Sequence, residues 1–189
     1  MAEQKRPQSK LKDKVWLKVV APKLFDNKVI AEIPANEPEK AINRTLYYSI
    51  NNLTGNPEHY FKFIKLRIRK IEGDKAYTDV EAIEEPLPYL QSLIRKGRSL
   101  IEDVFDVETK DNRKVRVKTF LVSDNRLPEP KKKDIRKIVR DMTVNRFSKM
   151  NTDEIITDVV EGKYQSEIKN ITKNIAVLVY QELRKLEIR

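Results

Sequence analysis

The 189-residue chain contains no cysteine, four glycines and a single histidine. The absence of cysteine excludes disulfides, thiolate catalysis and cysteine-bound zinc, and it is compatible with a reducing compartment. None of the four glycines lies in a Walker or dinucleotide-binding pattern, so no phosphate-cradling loop is predicted. His59 has no second histidine to complete a metal site. We therefore expect no catalytic residues, no metal and no cofactor.

Long apolar segments are also missing from the chain. The first 14 residues are polar and basic, without the apolar core of a secretory signal. The longest apolar run, 175–180, is far shorter than the roughly 20 residues that cross a bilayer. These features predict a soluble, cytoplasmic protein.

The most pronounced feature of the sequence is its excess of basic residues. Lys and Arg number 39 against 29 Asp and Glu, which gives a formal charge of +10 and a pI near 9.6. Charged residues make up 36% of the chain, against roughly 25% in typical globular proteins. Neutralising phosphates releases condensed counterions, so a chain with this excess binds polyanions well. The composition favours a nucleic-acid partner.

The pattern of apolar residues predicts an α+β protein in three parts. Residues 1–14 are predicted to be a flexible basic arm. Residues 15–126 read as short strands separated by turns, which indicates an antiparallel β-barrel-like region. Residues 127–189 are predicted to be mainly helical and packed on that region.

Two hairpins are the clearest predictions within the strand-rich part. Gly73 and Asp74 separate strands predicted over 60–71 and 76–83, and Asp111 and Asn112 separate a second pair. The other predicted elements are strands over 15–20, 29–33 (ended by Pro34), 46–50, 100–109 and 115–122, and a short helix over 89–96.

The C-terminal part begins after the prolines of 127–130 and has a helical period. Ile135, Ile138, Val139 and Met142 are spaced to form one helix face. Asn151 and Glu154 resemble a capping box for a helix over 152–161, with Gly162 suited to its end. A further helix is expected over 164–186, although 175–180 fits a buried strand equally well.

Basic residues recur in several separate segments, which suits contacts to different parts of one large folded RNA. Arginine offers planar bidentate contacts to phosphate, and lysine offers point charge. The predicted RNA-binding residues are Lys5, Arg6, Lys10, Lys12, Lys14, Arg44, Lys62, Lys65, Arg67, Arg69, Arg95, Lys96, Arg98, Lys110, Arg113, Lys114, Arg116, Lys118, Arg126, Lys131, Lys132, Lys133, Arg136, Lys137 and Arg140.

Two other interpretations compete with distributed RNA binding. Asp103, Asp106 and Glu108 could bind divalent metal in a nuclease, although a strand would place Asp103 on the opposite face from the other two. The aromatics in 60–63 could stack on unpaired bases, but the simpler interpretation is that half of these rings fill the core, and the same interpretation applies to Trp16.

The order of several short segments resembles a known family. The resemblance runs from Lys14-Val-Trp16 and Ala21-Pro22-Lys-Leu-Phe25 to Ile135-Arg136 and Glu-Ile-Arg189. It is clearest at Asp106-Val107-Glu-Thr109-Lys110-Asp111 and the following 113–117. The chain is thereby identified as resembling the S three a-e (e-S-one) family of archaeal and eukaryotic small-subunit ribosomal proteins. Asn43 and Asn112 stand where the family usually has glycine, and asparagine also tolerates positive φ.

This resemblance implies a structural constituent of the small subunit. It implies a β-barrel with a helical or α/β C-terminal part, located on the subunit platform near the 3′ end of the rRNA and the mRNA exit. The implied partners are small-subunit rRNA, neighbouring ribosomal proteins and mRNA near the exit. The alternative function is a free-standing barrel protein that binds mRNA.

Overall fold

The computed structural model describes residues 14–189, so the predicted arm, apart from Lys14, lies outside the described residues. The strands are β1 (Val15–Val20), β2 (Val29–Ala35), β3 (Thr45–Ser49), β4 (Phe63–Glu72), β5 (Lys75–Glu84), β6 (Leu100–Glu108), β7 (Lys114–Ser123) and β8 (Leu178–Ile188). The helices are α1 (Ile50–Thr54), α2 (Leu87–Ser92), α3 (Glu129–Phe147), α4 (Thr152–Val160) and α5 (Lys163–Thr172). Of the described helices, none is both long and apolar enough to span a bilayer.

The α+β class is confirmed, with most strands before the three long helices. The chain divides into two compact units. The first comprises the chain up to Leu46 together with Arg67–Asp79, and the second comprises Tyr47–Leu66 and Val80–Arg189. The predicted barrel is not confirmed, because the strand pairing in the described chain is open, with β2 and β6 at its ends.

In the first unit, β1 lies between β2 and β5. It pairs antiparallel with β2 and parallel with β5. Pro34 was expected to end β2, but the strand continues to Ala35 because β2 is an edge strand, where a missing N–H is tolerated. Trp16 is 56% exposed, so its expected place in the core is wrong. The exposure of Trp16 follows from the two-residue period of β1, which turns Leu17 inward and Trp16 outward.

In the second unit, β8 lies between β5 and β7, and β6 pairs with the other side of β7. The two-residue period of β7 places Val115, Val117, Thr119 and Leu121 on one face, and all four are buried. Phe120, on the other face, is buried too, because it joins a core cluster with Leu90 of α2. Both faces of β7 are therefore covered in the second half of the strand.

The C-terminal segment is where the predicted helical structure is wrong. The helix α5 ends at Thr172, and β8 occupies Leu178–Ile188 instead of the expected helix to residue 186. Arg184 is an extra residue in the pairing, since Lys118 is opposite Lys185 and Thr119 is opposite Leu183. This bulge puts Leu183 and Leu186 on the same face at a spacing of three, which imitates a helical period.

The long helices begin and end largely as the pattern predicts. The capping box of α4 is confirmed, with Glu154 accepting a hydrogen bond of 2.8 Å from the backbone N–H of Asn151. Gly162 follows α4 with a φ of +76°, a conformation that glycine adopts without strain. The buried stripe of α3 differs from prediction: Thr143 and Phe147 are buried, whereas Ile138 is 36% exposed.

An arginine at the end of α3 connects three helices. Arg146 donates to both carboxylate oxygens of Asp158 on α4, at 2.9 and 2.6 Å, and also contacts Glu167 on α5. The Asp158 side chain is only 5% exposed, so its charge depends on this partner. The hydrogen bonds that Arg146 donates to Asp158 are the main reason that the pKa of Arg146 is raised.

Replacing Arg146 with methionine is expected to destabilise the chain by about 2 kcal/mol, because Asp158 keeps its buried charge without a partner. Urea unfolding followed by circular dichroism measures this change. The matched control is Lys163→Met, which removes a solvent-exposed ion pair with Glu161 and should change stability by under about 0.5 kcal/mol. Equal effects of the two substitutions would show that the buried pair has no special role.

Candidate RNA-binding surface

The first group of basic residues lies at the tip of the β6–β7 hairpin. Thr109 donates its backbone N–H to the Arg113 carbonyl at 3.0 Å, which closes the turn. Asn112 has a φ of +57°, in agreement with the predicted turn and with the glycine usual there in the resembled family. Lys110, Arg113 and Lys114 are all exposed at this tip.

The hairpin tip contacts the connection between α3 and α4. The backbone N–H of Lys110 donates to the Met150 carbonyl at 3.2 Å, and the first N–H of α4, from Thr152, donates to Asp111 at 2.9 Å. The negative charge of Asp111 therefore stabilises the N-terminus of α4, where the helix dipole is positive. The same contacts bring Lys149 next to the tip, where it is exposed.

We call Lys110, Arg113, Lys114 and Lys149 the hairpin cluster. Among the residues that the structure describes, none of these four cations has a carboxylate within ion-pair distance. Lys149 was absent from the predicted binding residues, because its proximity to the hairpin is set by a contact across 40 residues of sequence. The only sequence signal for Lys149 as a binding residue is its place at the end of the basic stretch 126–149.

A second basic group surrounds the start of α3. Leu127 donates its backbone N–H to Ser99 Oγ at 2.9 Å, which holds the 95–98 loop beside the segment before α3. Buried Ser123 also bonds Ser99, through its hydroxyl at 3.2 Å to the Ser99 carbonyl. This α3 group consists of the exposed cations Arg95, Lys96, Arg126, Lys131, Lys133 and Lys137.

Other predicted binding residues are held by carboxylates. Four of these pairs lie on strands or between a strand and α3: Lys65 with Glu81, Arg69 with Asp79, Arg116 with Asp106, and Arg140 with Asp103. Two more are Lys62 with Glu182 at 3.9 Å and Lys132 with Glu129 at 2.6 Å. Local neutralisation makes these cations weaker attractors of phosphate than the hairpin cluster.

The remaining predicted residues are not brought into either group. Arg44 donates to the Pro34 carbonyl at 3.0 Å, after Asn43 with a φ of +66°. Arg136 donates to the Glu102 carbonyl at 3.1 Å, and Arg98 lies over the Tyr180 ring. Half-buried positions are occupied by Lys14, Arg67 and Lys118, while Lys5, Arg6, Lys10 and Lys12 lie outside the described residues.

The three acids considered for a nuclease do not come together. Asp103 accepts two hydrogen bonds from Arg140, at 2.9 and 2.6 Å, on the inner side of β6. Asp106 accepts two from Arg116, at 2.7 and 2.8 Å, and this bonding lowers the pKa of Asp106. Within residues 14–189, no group of three His, Asp or Glu side chains is placed to hold a metal ion.

The main feature that the sequence did not indicate is a buried glutamate, Glu85, beside the half-buried Glu182. Glu85, 6% exposed, lies with Glu182 and Lys62 at a cavity of about 220 Å³. Burial raises the pKa of Glu85 from 4.5 to about 9, and the negative charge of Glu182 is the second cause of this shift. Glu85 is therefore protonated at neutral pH. The sequence shows only an acid before Pro86, without sign of burial.

Comparison with known proteins connects this surface to a family. The model of the ribosomal S3Ae family matches residues 2–189. The chain is similar to small ribosomal subunit protein eS1 of Archaeoglobus fulgidus, at 32% identity over 97% of this chain and 90% of the relative.

Two further archaeal relatives agree with this match. They carry the same description and come from Sulfurisphaera tokodaii, at 32% identity over 95% and 93% of the two chains, and Pyrobaculum arsenaticum, at 31% over 93% and 80%. In all three comparisons the likeness covers at least 93% of this chain and at least 80% of the relative. The chain therefore belongs to the ribosomal S3Ae family, a family of ribosomal proteins rather than of enzymes.

Proposed function

We propose that the chain is a structural constituent of the small ribosomal subunit that binds rRNA through distributed lysine and arginine contacts. The observation that carries the proposal is the presence of two exposed basic groups without carboxylate partners among the described residues, in a chain of formal charge +10. Each group is joined by tertiary contacts rather than by one continuous run of sequence. Such surfaces suit separate phosphate tracts of a folded RNA.

The local chemistry explains how this binding would work. Lys110, Arg113 and Lys114 project from a tight turn, so they can approach a phosphate backbone with little steric hindrance from the sheet. Lys149 adds charge from the α3–α4 connection beside them. Each phosphate neutralised in this way would release counterions and contribute to affinity in a salt-dependent manner.

We further propose, from the family resemblance, a position on the platform near the 3′ end of the rRNA and the mRNA exit. The proposed partners are small-subunit rRNA, neighbouring ribosomal proteins and, at the exit, mRNA. The proposed compartment is the cytoplasm, where archaeal ribosomes assemble.

Sedimentation of cell extracts tests the assignment to the ribosome. The full chain, detected by antibody, is expected to co-sediment with small subunits at moderate salt and to leave them as salt rises, because its contacts are largely electrostatic. Detection only at the top of the gradient would contradict the proposal. Tight binding of such a free fraction to short single-stranded RNA would support the alternative of an independent mRNA-binding protein.

A further inference from the structure

Two aromatic rings lie on the surface between α1 and β4. Tyr60 is 62% exposed and Phe61 is 42% exposed, so neither ring is absorbed into the core. The backbone is fixed here by tight turns, in which Tyr60 N–H donates to the Pro57 carbonyl at 3.2 Å and Lys62 N–H donates to the His59 carbonyl at 3.0 Å. The position of these rings is thus set by a well-bonded turn.

The rings form part of an ordered aromatic group. Phe61 stacks on Tyr89 of α2, with centroids 4.0 Å apart and planes within 9°, and Tyr60 meets Phe61 edge-on at 5.0 Å. Tyr60 remains the most exposed of the three, with a ring available for a further partner. Holding the rings in fixed positions before binding lowers the entropy that binding would cost.

A groove of about 580 Å³ lies along this aromatic group, large enough for a nucleoside. Its apolar wall includes Tyr60, Phe61 and Tyr89, and its polar rim includes Asn51 and Asn52. The amide side chain carries both a donor and an acceptor, which is the combination that base edges require. The groove therefore offers stacking and hydrogen bonding side by side.

The segment that follows the groove in sequence is basic, which suits a nucleotide better than an apolar peptide. Ser92 lines the groove, and Arg95 and Lys96 follow it by three and four residues, both exposed. Among the described residues, neither cation has a carboxylate within ion-pair distance. A phosphate attached to a base in the groove would find these charges nearby.

We propose that this groove binds an unpaired RNA base, stacked on the exposed aromatic surface of Tyr60 and Phe61. The inference rests on the proposed RNA-binding function and adds a site that recognises bases to surfaces that recognise phosphates. Base–aromatic stacking accepts every base, so the site would be selective for unstacked nucleotides more than for a sequence.

The test measures binding of the full chain to fluorescein-labelled single-stranded octanucleotides, A8 and U8, over a range of salt. Tyr60→Ala and Phe61→Leu are expected to weaken binding about 10-fold each, with an unchanged salt slope, because stacking releases no counterions. Tyr60→Phe, which keeps the ring, should bind like the wild type. The matched control is Tyr47→Ala, because Tyr47 is 56% exposed and lies outside the groove, and this substitution should have no effect.

The other outcomes separate this proposal from the function on which it rests. Wild-type affinity in both groove variants, with weaker binding only when the hairpin cluster is changed, would overturn the base site and leave rRNA binding intact. Loss of subunit incorporation without loss of RNA affinity would also overturn it, since the groove would then hold a protein. Absence of RNA binding by the wild type would remove both proposals.

Discussion

Replacing all four residues of the hairpin cluster with alanine is expected to weaken binding of the chain to small-subunit rRNA about 1000-fold at 150 mM salt. The estimate assumes one phosphate for each of the four cations and a salt slope of roughly −0.9 per phosphate. Lys110, Arg113, Lys114 and Lys149 are exposed and lack carboxylate partners in the described chain, so their full charge can reach RNA. The slope of log K against log salt should become shallower by about 4.

Filter binding or fluorescence anisotropy with rRNA fragments provides the measurement. A matched control removes the same total charge from four lysines already paired on the surface: Lys18, Lys40, Lys70 and Lys163. This control should weaken binding by less than about 10-fold, because those charges are locally neutralised. An equal loss in both quadruple variants would mean that net charge, and not the hairpin cluster, determines the affinity.

Substituting Glu85 with glutamine is expected to make stability nearly independent of pH between pH 5 and pH 8. The folded chain keeps Glu85 protonated to about pH 9, whereas the unfolded chain releases this proton above its ordinary pKa of 4.5. The wild type therefore loses stability as pH rises from about 4.5 to about 9, at up to roughly 1.4 kcal/mol per pH unit. Below pH 4.5 both states hold the proton, and the contribution is fully present.

Glutamine resembles the protonated acid and has no proton to release. At pH 8 the variant should be more stable than the wild type by about 5 kcal/mol, and at pH 5 the two should differ by no more than about 1 kcal/mol. Urea unfolding at both pH values measures the difference, with Glu108→Gln, at an exposed position of β6, as the control that should change little. A wild type equally stable at pH 5 and pH 8 would contradict the assigned protonation of Glu85.

The elements predicted correctly from sequence are those whose determinants are local. The β4–β5 turn follows from Gly73, the β6–β7 turn from Asn112, and the start of α4 from Asn151 and Glu154. In each case a residue a few positions away supplies the hydrogen bond or the φ value that the structure needs. The inward face of β7 was equally predictable, because a two-residue period states directly which side is buried.

The incorrect predictions concern structure that depends on distant partners. Nothing near Leu178–Ile188 in sequence reveals that β5 and β7 supply its hydrogen bonds, and the bulge at Arg184 hides its alternation. Similarly, the exposure of Trp16 follows from the register of β1 rather than from its aromatic character. Burial of an ionisable group such as Glu85 is decided by packing and leaves no local trace.

For the candidate site, composition and the order of short motifs by themselves determined that this chain is a basic, non-enzymatic member of a ribosomal protein family. Only the tertiary structure decided which cations are available. It pairs Arg116 and Arg140 with aspartates and brings Lys149 to the tip of a hairpin about 40 residues earlier. The physical reason is that charge is a property of composition, whereas the field at a surface depends on which opposite charges lie within a few ångströms.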